Sequence, residues 1–237
     1  MEWVLDTHYA ELSPTESIVE YGLKVHKVPE SELIEMMESL LAEYAGLRLS
    51  SLPDSKSRSF IELSVRGSQP VAAAAYQKML ASMPTIRPVL TKRKVKVLSG
   101  FGMRVHPIFK IPKMHTGIDF TAPKGEPILA TGDGKIVKLE KRRTGYGHNI
   151  VIDHGYGYKT LYGHMSRFDV KLGDKVKKGQ RIGLVGSTGT STAPHCHYEV
   201  HYKGSKVNPI HYCMDDLSPE EYKEFAEAAA RSNQSFD

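Results

Sequence analysis

Ile150-Val151-Ile152-Asp153-His154-Gly155 and Thr160-Leu161-Tyr162-Gly163-His164 are the two stretches that decide the fold class. In the first, Ile150 and Ile152 alternate with Val151 and Asp153, and glycine closes the run, as in a strand ending at a turn. In the second, Thr160, Tyr162 and His164 fall on one face of a strand, because side chains repeat every two residues. The same pattern of short alternating segments and glycine turns runs outward from Val95 onward. Of the 20 glycines, 17 lie between Gly100 and Gly204, so a mainly antiparallel β domain is expected there. The region also echoes itself: Lys124-Gly125-x-x-Ile128-x-x-x-Gly132 recurs 54 residues later as Lys178-Gly179-x-x-Ile182-x-x-x-Gly186, which suggests two related β halves.

The flanks read differently. Ser13-Pro14-Thr15-Glu16 has the form of a capping box with proline at the first helical position. A second helix is expected from Ser31, with Leu33, Met37, Leu40, Leu41 and Tyr44 on one face and Gly46 at its stop. Val71 to Met83 reads as a third, ended by Pro84. This Met and Leu stripe has the spacing of a core or docking face. Thr91-Lys92-Arg93-Lys94 reads as a basic linker. At the other end, Ser218-Pro219-Glu220-Glu221 is a capping box, Leu217 and Tyr222 can form its hydrophobic staple, and an alanine-rich helix continues from it. Three regions are therefore expected: helical 1–95, a β domain at 96–214, and an acidic helical tail at 215–237.

Charge follows the same division. Residues 1–95 carry a net −1, residues 96–214 a net +11 and residues 215–237 a net −5. A basic middle suggests an anionic partner, but no helix-turn-helix, zinc-finger or aromatic stacking signature accompanies the lysines, which argues against nucleic acid. Hydrophobic residues at 40% and charged residues at 25% over 237 positions are the balance of a chain that buries a core. The longest apolar run, Val71 to Tyr76, is far short of the roughly 20 residues of a membrane span. The first twenty residues hold five acidic side chains and no apolar stretch, unlike a signal peptide. The chain is thus expected to be cytoplasmic or to follow a removed leader. Cys196 and Cys213 are too few for a disulfide framework.

Nine of the eleven histidines lie between His106 and His211. His8, His26, His148, His154 and His211 have no patterned neighbours and read as surface positions. Two clusters have metal-ligand spacing. His115-Thr116-Gly117-Ile118-Asp119 sets an imidazole and a carboxylate four apart, and Gly117 favours a loop entering a strand over a helix. His195-Cys196-His197 puts two imidazoles on one strand face. His164 ends another strand. A catalytic zinc site wants three N or O ligands and one open position, and two histidines with one aspartate meet that count, leaving two histidines over.

With these motifs the sequence resembles a known family. Ser99-Gly100-Phe101-Gly102-Met103-Arg104-Val105-His106-Pro107 is similar to the opening of the LytM/lysostaphin-type zinc endopeptidases, the M23 peptidase family. His115-x-x-x-Asp119, Leu161-Tyr162-Gly163-His164 and Pro194-His195-Cys196-His197-Tyr198 resemble its three site motifs, in order. Gly173-Asp174-Lys175-Val176, Gly186-Ser187-Thr188-Gly189 and Val207-Asn208-Pro209 resemble further family segments, and the tail resembles Bacteroidetes-type members. The resemblance spans about residues 96–212 and implies a compact antiparallel β-sheet domain of duplicated, LytM-like type with its site in a groove. It implies one zinc per chain on His115, Asp119 and His197, and catalytic roles for His164 and His195. It implies hydrolysis of peptide bonds in bacterial peptidoglycan, in the periplasm or cell envelope, with no membrane span in this chain. Residues 1–95 would then regulate, space or oligomerise. Cys196 stands where the family carries a bulky aliphatic residue, and strand alternation points it away from the two histidines as a small buried hydrophobe.

Two other readings compete. A non-catalytic wall-binding or hydrolase-activating protein would show lost ligands, and all five positions are filled. A swinging-arm carrier is suggested by Gly173-Asp174-Lys175-Val176-Lys177-Lys178-Gly179, which resembles half of a lipoyl-type domain, but such a carrier has no use for a cluster of placed histidines. The basic middle carries its own expectation. Attraction of exposed charges to anionic wall polymers is screened beyond about 8 Å at physiological ionic strength. Pull-down of the protein on purified sacculi should weaken as salt is added, and salt-insensitive binding would remove the charge from recognition.

Overall fold

The computed structural model of the chain describes residues 6–7, 11–12, 17–26, 30–53, 60–89, 97–105, 111–212 and 217–230. The chain divides into two compact units, Met1–Leu80 and Ala81–Asp237. Among the described residues no helix is long and apolar enough to cross a membrane.

The first unit holds the two expected helices, Glu30–Glu43 and the greater part of Gln69–Ser82. Gly46, with φ +81°, lies just past the former as its stop. The unit also holds an antiparallel sheet that the helical reading of this region leaves out. Its strands Ser17–His26 and Phe60–Ser68 pair over nine positions, and Arg48–Pro53, Asp6–Thr7 and Glu11–Leu12 extend it. The capping-box residues 13–16 lie outside the described residues, and a strand, not a helix, begins directly after them at Ser17. The physical reason is a competing pattern: Val19, Tyr21, Leu23 and Val25 alternate with Glu20, Gly22, Lys24 and His26, a period of two that outweighs a local helix-start signal. Leu40, Val65, Ala72, Ala75, Tyr76 and Met79 are buried, and Tyr76 stacks on Tyr21 at 5.3 Å. Leu41, expected on the apolar face, is instead 45% exposed. The linker at 91–94 falls outside the described residues.

The second unit is mainly antiparallel β, as expected. Its large sheet runs in the order Lys175–Val176, Gly134–Lys141, His148–Gly155, Tyr158–Tyr162, His195–Tyr202, Ile118–Thr121, Val97–Ser99, with Ser205–Val207 also paired to His195–Tyr202. A three-stranded sheet joins Pro127–Leu129, Arg181–Leu184 and Arg167–Phe168. The echoed segments meet here: Ile128 lies opposite Gly183, and buried Ile128 and Ile182 enter one core. A hairpin of Gly102–Val105 and Pro112–His115 completes the sheets. The tail helix Pro219–Ala230 is capped as expected. The Glu221 N–H donates to Ser218 Oγ at 3.2 Å, and the Ser218 N–H donates to the Glu221 carboxylate at 2.9 Å. Phe225 from this helix stacks on Phe120 at 5.8 Å.

Through the core runs a polar chain. His154 is buried, not on the surface as its sequence context suggests, because both ring nitrogens find partners inside the unit. Its Nδ1–H donates to the Asp133 carbonyl at 2.8 Å and its Nε2 lies 2.8 Å from Thr160 Oγ1. Thr160, Tyr162, Thr131 and Tyr198 continue the hydrogen bonding at 2.8–3.0 Å. Burial holds the His154 pKa down to about 4, against a weaker pull from the Asp133 carbonyl. The unfolded chain protonates this ring near pH 6.5 while the folded chain stays neutral to about pH 4, so between those values the unfolded state binds more protons. Stability should fall as pH drops from about 6.5 to about 4, and His154→Gln should flatten that part of the slope. Urea unfolding of both proteins across the range checks this; parallel profiles would refute it.

Candidate metal centre

The site is assembled by strand register. His195–Tyr202 pairs with Ile118–Thr121 so that His197 lies opposite Asp119 and Cys196 opposite Phe120. Cys196, Tyr198 and Val200 enter the apolar core, and the alternate residues His195, His197 and Glu199 share the other face, also buried. His115 arrives at the end of Pro112–His115, and Thr116-Gly117 turns the chain into the strand that carries Asp119. Gly117 is needed for the close approach of the His197 ring: a Cβ there would sit 2.4 Å from the Tyr198 carbonyl oxygen and 2.9 Å from ring atoms of His197.

Three atoms converge. His115 Nε2 is 3.1 Å from Asp119 Oδ1 and 3.1 Å from His197 Nδ1, and His197 Nδ1 is 2.9 Å from Asp119 Oδ1. All three residues are buried, and they form a group that could hold a metal ion. Their outer partners strengthen that reading. His115 Nδ1 faces the Gly100 carbonyl at 2.7 Å, and His197 Nε2 faces the Glu199 carboxylate at 3.2 Å. Each of those acceptors takes a ring proton, which assigns the lone pair to the nitrogen that points inward. Two imidazole lone pairs and a carboxylate within 3.1 Å of one another require positive charge between them. The donor set of two nitrogens and one oxygen matches a catalytic metal centre with a position left for water. On the far side of the carboxylate, the guanidinium of Arg104 lies 3.6 Å from Asp119 Oδ2.

His164 and His195 stand beside this trio. Their rings are 4.6 Å apart, and His195 Nε2 is 3.7 Å from Asp119 Oδ1. Both are oriented from one loop: His164 Nδ1 faces the Thr188 carbonyl at 2.7 Å, and His195 Nδ1 faces the Ala193 carbonyl at 2.8 Å. Nε2 is therefore the acceptor nitrogen of each ring. His164 adopts φ 57°, one of three non-glycine residues among those described with positive φ. Such backbone costs on the order of 1–3 kcal/mol and persists where the surroundings over-determine it. Here the His164 N–H donates to the Tyr146 carbonyl and the Gly163 N–H to the His197 carbonyl, both at 2.8 Å.

All five residues that the sequence singles out are thus brought together. Cys196 is fully buried, and burial, with the nearby charge of Asp119, pushes its thiol pKa far up, so it behaves as a small hydrophobe. His106 and Cys213 lie outside the described residues. Sequence reasoning misses Glu199, although it extends the His195, His197 spacing by a further two residues. Burial alone would raise its carboxyl, and hydrogen bonds from His197 and His201 outweigh that and hold it far below the ordinary range. Gly117→Ala tests the packing at the turn. Overpacking of this kind costs about 1–3 kcal/mol, and here it displaces the His197 ring. Thermal melting should fall and metal content drop together; a variant with unchanged metal content would show that the close approach is dispensable.

The chain is similar to known proteins. Over 115 residues the chain is 46% identical to the DD-carboxypeptidase/endopeptidase Mpg of Neisseria meningitidis, covering 48% of this chain and 26% of that protein. Over 139 residues it is 40% identical to the peptidoglycan DD-endopeptidase ShyA of Vibrio cholerae, covering 58% and 32%. The chain therefore spans about a quarter to a third of the length of these curated relatives. A crystal structure of a zinc containing peptidase from Vibrio cholerae shares the fold, with a TM-score of 0.50 at 21% identity over 86% of this chain and 73% of that one. Residues 113–209, which hold His115, Asp119, His164, His195 and His197, match the model of peptidase family M23.

Proposed function

We propose that the protein is a zinc-dependent endopeptidase that hydrolyses peptide cross-links or stem peptides of bacterial peptidoglycan in the cell envelope. The observation that carries this reading is the convergence of His115, Asp119 and His197 with two further histidines directly beside them. The activities in the names of Mpg and ShyA support the substrate class.

In this reading His115 Nε2, Asp119 Oδ1 and His197 Nδ1 hold one zinc ion. When bound, zinc polarises the scissile carbonyl and lowers the pKa of water from 15.7 to about 7. The remaining chemistry belongs to the chain. His164 and His195 each donate Nδ1–H to a backbone carbonyl, so each offers Nε2 to the reacting groups. A neutral imidazole so placed accepts a proton from the attacking water and returns it to the leaving amine. The other ring steadies the developing oxyanion once it carries a proton. The carbonyls of Thr188 and Ala193 keep both rings from turning during these transfers.

Elemental analysis after gentle dialysis should find about one zinc per chain. His197→Ala leaves two of the three ligands, so zinc content and digestion of purified sacculi should collapse together. His164→Ala and His195→Ala keep the ligand set and should retain zinc while turnover falls about 10²–10⁴-fold. Mass spectrometry of the new amino termini identifies the bond cut. Metal-free protein that still digests sacculi, or full activity in both catalytic variants, would overturn the proposal.

A further inference from the structure

Glu199 lies two residues beyond His197 with its side chain fully buried, and donors surround it. Oε1 receives His197 Nε2–H at 3.2 Å, the Tyr146 hydroxyl at 2.7 Å and Lys206 Nζ at 3.1 Å, together with the Thr116 hydroxyl. Oε2 lies 2.6 Å from His201 Nε2. These donors come from different parts of the chain. Thr116 sits in the turn between His115 and Asp119. Tyr146 belongs to the loop whose backbone carbonyl receives the His164 N–H. Lys206 is on the neighbouring strand Ser205–Val207 and also reaches Thr116 Oγ1 at 3.1 Å and the Tyr146 hydroxyl at 2.7 Å. One carboxylate thus touches the turn with two of the convergent residues, the strand with the third and the loop that holds His164.

We propose that Glu199 is a positioning residue of the metal centre, which fixes His197 in the Nε2–H tautomer with Nδ1 turned to the metal and ties the three site-bearing segments together. This rests on the metal reading given above. A carboxylate that accepts the far N–H of a metal-bound imidazole fixes its tautomer and orientation and raises its basicity. At His115 the far nitrogen meets the neutral Gly100 carbonyl at 2.7 Å. The orientation of His197 thus depends on a replaceable side chain, Glu199.

The test reads zinc affinity and tautomer on the full chain, without substrate. Glu199→Gln keeps an oxygen acceptor and the shape but loses the charge; Glu199→Leu removes both. Chelator competition should show zinc binding weakened about 10-fold in Glu199→Gln and about 10–100-fold in Glu199→Leu. Nitrogen-15 NMR of labelled histidines in the metal-free protein should find His197 as the Nε2–H tautomer in wild type and Glu199→Gln. Should Glu199→Leu fail to fold, Glu199→Gln and the wild-type tautomer decide. An Nδ1–H tautomer of His197 in wild type, or variants that bind zinc within about 3-fold of wild type, would overturn the inference. A wild type that binds no zinc removes the metal reading and this inference with it. Normal graded affinities in a protein that cannot digest sacculi would remove the proposed substrate alone.

Discussion

Two imidazole lone pairs and a carboxylate held within 3.1 Å of one another repel unless positive charge lies among them, and the second unit is organised around that demand. The antiparallel register that sets His197 against Asp119 supplies two of the three atoms. The turn at Thr116-Gly117 brings the third. A slip of one residue in that register would present Cys196 or Tyr198 to the site and send His197 into the core. The apolar residues between the site residues guard against such a slip. Phe120, Cys196, Tyr198 and Val200 are all buried on the opposite face, so register and core burial specify each other.

The strand His195–Tyr202 is buried on both faces, one apolar and one polar, and the polar face is the more demanding. A buried hydrogen-bonding group left without a partner costs about 1–3 kcal/mol, and a charge costs more. The structure meets this by giving each imidazole of the site two different tasks. One nitrogen is committed to the scaffold, through the carbonyls of Gly100, Thr188 and Ala193 or the Glu199 carboxylate, and the other is turned into the site. Orientation and acceptor capacity are thereby divided within single side chains. His154 differs, because both of its nitrogens are committed to the scaffold and the ring is held neutral.

Much of this is legible in the sequence because it depends on side-chain type and spacing. Alternation and glycine turns mark the β class of the second unit, and the echoed Lys-Gly segments prove to be neighbouring strands. Histidine spacing and family resemblance together point to the five residues that converge. Three kinds of feature are hidden. Backbone carbonyls carry no residue signature, so the partners of His115, His164 and His195 are invisible. Long-range partners such as Arg104 and Tyr146 have no spacing to the residues they serve. Competing local signals also mislead: a capping box draws attention from the period-two pattern of Val19 to Val25, and an unpatterned His154 looks exposed.

The tail helix shows how a segment with no site residue still bears on the site. Phe225 stacks on Phe120, the residue next to Asp119. Further along, the Ala229 carbonyl packs so closely on Gly100 that a Cβ there would lie 1.8 Å from the Ala229 oxygen. Gly100 is the residue whose own carbonyl orients His115. The alanine run Ala228-Ala229-Ala230 therefore does more than favour helix: small side chains let the helix backbone reach the strand backbone that it supports. The same contact explains why glycine opens the segment Gly100-Phe101-Gly102, since any side chain at its first position would push the helix away. The acidic tail is thus connected to His115 through two backbone groups, and the geometry of the converging trio reaches from the register of the central strands to the last turns of the chain's final described helix.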